Sequence, residues 1–232
     1  MTLDLSAPRP VHYPATDSWQ FDAEVARVFD DMALRSIPLY AEVQRETARI
    51  VVESAWNGEH VVDLGAATGT TLASIAPRVS KTTTLTGYEI APLMAAAARE
   101  KVPASVRIVE GDVRTVEFPE PIGAAVCLWT LQFVPVLDRP VVLKRLRAAM
   151  RDGGVLVVAE KIDSVVHVER YHDWKHENGY SREEIEAKAL ALRGVLSPMT
   201  YDANVAMLRS CGFIVEPLMG WLNFAAWVAW AA

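Results

Sequence analysis

His60-Val61-Val62-Asp63-Leu64-Gly65-Ala66-Ala67-Thr68-Gly69 is the stretch on which the reading of the fold turns. A short apolar run ends in a glycine turn, and helical spacing resumes beyond it. Glycine at a strand-to-helix turn lets the backbone come close to a ligand and aims helix-terminal N–H groups at it. Ala67 occupies the middle place and Gly69 follows Gly65 by only four residues, so the run is not G-x-G-x-x-G. A Walker-type phosphate loop is also absent from the chain, which argues against a nucleoside triphosphate. Asp63, two residues before Gly65, would meet a dinucleotide pyrophosphate as a like charge, whereas a cationic ligand tolerates it.

Downstream the same rhythm repeats. TLTGYEI reads as a strand, LMAAAAREK as a helix, VRIVEGDV as a strand, and AAVCLWTL as another. A helix over Pro140–Met150, a turn at Asp152-Gly153-Gly154 and the strand VLVVAEKI follow. Strands apolar on both faces and alternating with helices predict a parallel sheet covered by helices. Glu89 ends one strand twenty residues after Gly69, where a carboxylate can accept from both ribose hydroxyls. Gly111-Asp112-Val113 ends the next, where a carboxylate can hold an adenine amino group. Three acids at successive strand ends converge on one crevice, as switch-point binding requires.

Upstream, prolines spot an arm (Pro8, Pro10, Pro14), and helical patterns cover Asp22–Leu34 and Leu39–Trp56, with SIAPRV helical beyond the glycine turn. Val165–Leu196 breaks the rhythm with Glu, Lys and His and is long enough for two helices. LRSCGFIVEPL and LNFAAWVAW close the chain as a helix end and two strands. The expectation is one doubly wound α/β domain over residues 1–232, with an antiparallel closing strand. Its arm and first helices span about 1–57, the sheet core about 58–163 and 205–232, and the helical lid about 164–204.

Composition narrows the classes. At 232 residues, 51% of them apolar, the chain can bury roughly 70% of its unfolded surface. A formal charge of −6 opposes broad binding to a phosphate backbone, so no nucleic-acid partner is expected. Cys127 and Cys211 stand 84 residues apart without a partner motif, which excludes a disulfide framework and points to a reducing compartment. MTLDLSAPRP has neither a basic nor an apolar targeting segment, and the apolar tail from Trp221 is short of a membrane span. A soluble cytoplasmic protein with no membrane partner is expected.

The glycine loop, its acids, the Asp152-Gly153-Gly154 turn and LRSCGF resemble the class I S-adenosylmethionine (SAM) methyltransferases. A closer resemblance, from Trp19 to Val228, is to the carboxy-SAM synthase family, a tRNA-modification branch of that fold. It rests on Phe29-Asp30-Asp31-Met32, Arg35-Ser36-Ile37-Pro38, Tyr40, Glu110-Gly111-Asp112-Val113-Arg114, Thr130-Leu131-Gln132-Phe133 and Glu160-Lys161. His172-Asp173-Trp174-Lys175, Asn178-Gly179-Tyr180-Ser181 and Asn223-Phe224 extend it. The resemblance implies that Tyr40, Gly65, Ala66, Ala67, Glu89, Ile90, Asp112 and Val113 line a SAM site, with Asp63 and Leu128 beside them, and that the protein is a homodimer. Two departures stand out. The family carries an arginine after the lid lysine, where Lys188 is followed by Ala189, and an asparagine where Leu128 stands. Arg193, one turn on, is the candidate substitute.

His172 and His176 form H-D-x-x-H, which a solvated helix face explains without a metal, and none is expected. Trp129 ends the fourth strand above the crevice, and Tyr171, Trp174 and Tyr180 come from the lid. Aromatic faces attract a sulfonium cation by roughly 0.5–2 kcal/mol each, so Trp129, Tyr171 and Tyr180 are the candidate catalytic residues. The favoured reaction is cyclisation of SAM to azetidine-2-carboxylate with release of methylthioadenosine, as in natural-product pathways. The alternative is methyl transfer to a small acceptor. Carboxy-SAM synthesis, for which the family uses prephenate, and SAM binding without turnover stand behind both.

Overall fold

A computed structural model describes residues 19–232, and the proline-spotted arm lies outside the described residues. Helix α1 (Ala23–Ser36) starts where the Asp22 carboxylate accepts from the Val25 N–H at 2.9 Å. Helix α2 (Tyr40–Ser54) follows after Leu39, whose φ is +58°. Then come β1 (His60–Leu64), α3 (Thr70–Ile75), β2 (Thr84–Glu89), α4 (Pro92–Lys101), β3 (Val106–Glu110) and β4 (Ile122–Leu128). Helix α5 (Arg139–Ala149) leads into β5 (Met150–Lys161). The lid is a 3-10 turn (Val165–His167) with α6 (Val168–Glu177) and α7 (Arg182–Ala191), the latter fixed by a Ser181/Glu184 capping box. Helix α8 (Tyr201–Ser210), β6 (Phe213–Trp221) and β7 (Phe224–Ala231) close the chain.

The strand order is β3-β2-β1-β4-β5-β7-β6, with the first five strands parallel and β7 and β6 antiparallel. This is a Rossmann-like methyltransferase sheet, and the order reverses beside β1, which opens a crevice at its carboxyl end. Alternation assigns the two faces. Val155, Val157 and Ala159 of β5 and Phe224, Ala226 and Val228 of β7 pack under α1–α4. Leu156 and Val158 with Ala225, Trp227 and Ala229 pack under α5 and α8. Both faces of the central strands are therefore dry.

Two sequence expectations change. Asp152-Gly153-Gly154 is not a free turn but part of β5, where the pairing with β4 shifts between Ile122 and Ala124. Gly153 at φ +69° supplies the left-handed residue such a bulge uses, so the same glycine pair that reads as a turn serves a strand irregularity. The helix expected through SIAPRV is six α-helical residues followed by a 3-10 turn at Ala76–Arg78. Of the late tryptophans, Trp227 is core, whereas Trp221 and Trp230 are exposed. Among the described residues no helix is long and apolar enough to cross a membrane.

Candidate active site

A cavity of about 430 Å³ opens above the carboxyl ends of β1, β2 and β4, roofed by α1, α2 and the lid. Its floor is the glycine loop. Gly65 has φ +79°, and a Cβ there would lie 2.3 Å from Thr130 Oγ1, so the site admits no side chain. The Gly65 and Ala66 N–H groups both donate to the Tyr88 carbonyl at 2.9 Å, which curls the loop back over β2. Ala67 adopts φ +49°, a left-handed conformation that costs a non-glycine residue roughly 1 kcal/mol.

The three acids differ in state. Asp63 is 2% exposed, and burial, with the Glu89 charge second, raises its pKa to about 7. Glu89 accepts from the Ala67 N–H at 2.8 Å and the Ala91 N–H at 2.9 Å, which aims its remaining lone pairs into the cavity. Burial raises its pKa and those N–H bonds oppose the rise. Asp112 accepts from the Arg114 backbone at 2.9 Å and its guanidinium at 2.8 Å, and this pairing holds its pKa down. Asp112 therefore stays ionised but shares its oxygens with Arg114, a partner the sequence argument did not assign to it.

Trp129 has φ +54°, and its indole stacks on Tyr40 with centroids 5.0 Å apart and 26° between planes. Both rings line the cavity. Non-glycine residues in the left-handed region are costly and concentrate at ligand clamps, and Ala67 and Trp129 are two of them lining this cavity. Beyond Trp129, Thr130 Oγ1 donates to the Leu64 carbonyl at 2.8 Å. The next turn is capped by Glu160, whose carboxylate accepts from the Leu131 and Gln132 N–H groups at 2.8 Å each. Burial raises the pKa of Glu160 to about 8 against those two bonds.

Thirteen residues were expected at the site. Tyr40, Asp63, Gly65, Ala66, Ala67, Glu89, Ile90, Asp112, Val113, Leu128, Trp129 and Tyr171 all line the cavity. Tyr180 does not. It is buried beside Ile185, where Ser36 Oγ donates to its hydroxyl at 3.2 Å, so it braces the lid against α1. Trp174 stacks on Tyr171 at 6.3 Å and meets Trp221 edge-on, outside the lining. Arg193, expected as a candidate substitute, is exposed and also outside the lining. Ala189 is exposed as well, whereas Lys188 turns into the cavity, because successive helical positions point to different faces. His176 Nδ1 bonds to the Tyr180 carbonyl at 2.8 Å. Among the described residues no three His, Cys, Asp or Glu side chains cluster as metal ligands.

The sequence argument missed three cationic lining residues: Arg114, which pairs with Asp112, and Lys161 and Lys188. A charge at the end of the apolar strand VLVVAEKI was a readable signal for Lys161. Nothing in α7 marks Lys188 as the buried lysine. Phe21, Phe29 and Phe224 complete the apolar walls.

Residues 61–154 match the family described as a methyltransferase domain. Among solved structures, SAM-bound CalS10, an amino pentose methyltransferase from Micromonospora echinaspora, aligns over 93% of this chain and 99% of its own with TM-score 0.62 and 17% identity. An O-methyltransferase described as putative, from Nostoc punctiforme, aligns over 90% and 59% with TM-score 0.65 and 16% identity. These likenesses show the fold. With the sheet order and the matched domain they define a protein of the class I methyltransferase fold. More particularly, the carboxy-S-adenosyl-L-methionine synthase of Chromohalobacter salexigens is 41% identical over 91% of this chain and 83% of its own length. That of Nitratiruptor sp. is 35% identical over 93% and 94%. The chain belongs to the carboxy-SAM synthase family.

Proposed function

We propose that SAM is the substrate of this enzyme as well as its ligand, and that the reaction is intramolecular cyclisation. The observation that carries the reading is the Tyr40–Trp129 stack, held over the cavity by a strained backbone with the buried Asp63 below. Glu89 and Asp112 hold the ribose and adenine, which leaves the amino-acid chain between Asp63 and the aromatic wall. A buried carboxylate whose pKa lies near 7 in the free protein is a stronger base than an ordinary carboxylate, and an α-ammonium group beside it holds it ionised and ready to accept a proton. The freed amine attacks its own γ-carbon as the C–S bond breaks. The electron pair leaves with sulfur as neutral methylthioadenosine, and the four-membered amino acid remains. Leu128, Trp129 and Tyr171 exclude water and hold the folded chain, so proximity and desolvation supply the rate. Purified protein incubated with SAM alone should yield methylthioadenosine and azetidine-2-carboxylate in equal amounts by mass spectrometry. Absence of both overturns the cyclisation.

A second reading, carboxy-SAM synthesis, is favoured by Lys161 and Lys188 on the cavity wall, which suit an anionic co-substrate, and by the names of the relatives. Adding prephenate to the same incubation separates the two: a carboxylated SAM product supports the second reading. Methyl transfer to a small acceptor predicts S-adenosylhomocysteine instead, and only with the acceptor present. A homodimer is also proposed, on the family resemblance, and its mass in solution tests it.

A further inference from the structure

Where α1, the glycine loop and α4 meet, four side chains close a hydrogen-bond network. Thr68 Oγ1 donates to Asp30 Oδ1 at 2.6 Å, and Thr70 Oγ1 donates to the same oxygen at 3.1 Å. Lys101 Nζ, at the end of α4, donates to Thr68 Oγ1 at 2.9 Å, to Thr70 Oγ1 at 3.0 Å and to Asp30 Oδ2. All three ammonium hydrogens are used, and each hydroxyl both donates and accepts. Thr68 and Thr70 line the cavity, whereas Asp30 and Lys101 stand outside the lining. Thr68 is itself 3% exposed and lies between two left-handed residues, Ala67 at φ +49° and Gly69 at φ +79°. A Cβ on Gly69 would lie 2.8 Å from Val102 Cγ1, so the loop is pressed against the end of α4.

We infer that Asp30, with Lys101, is a positioning residue for ribose recognition: it grips Thr68 and thereby holds the Ala67 N–H on the Glu89 carboxylate. A left-handed alanine is unfavourable by itself, so the loop keeps that shape only where its surroundings enforce it. The network enforces it at the very next residue. The Ala67 N–H donates to Glu89 at 2.8 Å and is one of the backbone groups that orient that carboxylate. Without Asp30, the Thr68 hydroxyl loses its acceptor, and the loop relaxes toward an ordinary φ that swings the Ala67 N–H off Glu89. Helix α3 keeps its own tie, from Thr71 Oγ1 to Gln44 Oε1 at 2.7 Å. Helix α1 keeps its bonds to the lid at Ser36, so the disturbance is local to the loop. The inference rests on the reading that Glu89 holds the ribose, but not on which reaction follows.

The test is a ratio of affinities, so its failure is distinct from failure of the cyclisation. S-adenosylhomocysteine and its 2′-deoxy counterpart are titrated calorimetrically into the wild type, Asp30→Ala, Asp30→Asn and Lys101→Met. The wild type should prefer the full ribose by roughly tenfold, as the loss of a hydrogen bond to a charged group predicts. In Asp30→Ala that preference should fall to about threefold or less. Asp30→Asn keeps an amide oxygen that accepts from Thr68 and should retain most of it. Lys101→Met should lose preference as well, and the double variant should lose no more than Asp30→Ala, because both residues act through the same hydroxyls. If Asp30→Ala does not fold, Lys101→Met carries the test from α4. A ratio undiminished in the folded variants, even with both affinities reduced, overturns the inference and leaves the ribose at Glu89, since a packing role weakens both ligands alike. No preference in the wild type removes the ribose from Glu89 and overturns the inference with it.

Discussion

Replacing Asp63 by asparagine should abolish a proton release that accompanies ligand binding. With a pKa of about 7, Asp63 is roughly 90% protonated at pH 6 and half protonated at pH 7 in the free protein. A ligand whose ammonium group faces it favours the ionised form, so binding must expel that proton. The expected release is about 0.9 proton at pH 6 and about 0.5 at pH 7. The same linkage makes the apparent affinity of S-adenosylhomocysteine tighten roughly fivefold between these two values. Calorimetry in two buffers of different ionisation enthalpy reads the proton count directly. Because Glu89 also titrates upward of its usual range, the difference between wild type and Asp63→Asn is the quantity that isolates Asp63. Asp63→Asn should also bind about tenfold or more weakly at pH 7, since it cannot form the charge-assisted bond. Equal proton release in the two proteins would refute the placement of the ammonium group at Asp63, and with it the proposed proton acceptor.

The same residue makes a stability prediction with a definite sign. Its pKa is raised on folding, so the folded state loses stability as pH climbs from the ordinary carboxylate range to about 7. Asp63→Asn should therefore raise the thermal midpoint of the ligand-free protein at pH 8, with the gain fading toward pH 5 in a melting series. Glu89→Gln and Asp112→Asn should each weaken S-adenosylhomocysteine binding by roughly 1–3 kcal/mol, and unchanged affinity in both would remove the nucleoside from these two acids. Trp129→Leu should lose more SAM affinity than Trp129→Phe, because only the phenyl ring keeps a face for the sulfonium, and equal losses reduce the indole to packing.

The sheet and its acids were legible because a charge at the end of a doubly buried strand is conspicuous. Asp63 and Glu89 each interrupt or end an apolar run, and their convergence follows from strand order alone. Trp129 was legible on the same ground. The lid was not. Tyr171 reaches the cavity and Tyr180 does not, although both are buried aromatics of the same segment, because each one's facing is set by packing against α1. Lys188 and Ala189 make the point more sharply: Ala189 is exposed, and the buried cation is its neighbour. Helical phase decides between them, and a charged, weakly amphipathic stretch carries little phase information. The left-handed φ of Trp129 was equally hidden, since it depends on the Glu160 cap that draws the following turn back onto β5.

Choice of reaction therefore belongs to the lid wall rather than to the strand ends. Solved methyltransferases at 16–17% identity share the sheet and fold with this chain, so the fold says little about which bond of SAM is broken. What can differ is the environment of the sulfonium and the amino-acid chain. Asp63 lies on the sheet side of the cavity and Lys161 and Lys188 on the lid side, so in the proposed cyclisation the first would draw the ammonium and the second the carboxylate. Both groups sit on the same α-carbon, so two opposed anchors would fix that carbon and restrict the torsions leading to the γ-carbon. Such restriction is what raises an effective concentration within one molecule. If a separate acid claims the lysines instead, the chain loses one anchor and the acid gains a position beside the sulfonium. Cyclisation needs the α-carbon held through its ammonium and carboxylate groups, whereas carboxylation needs the lysine wall kept open for its co-substrate.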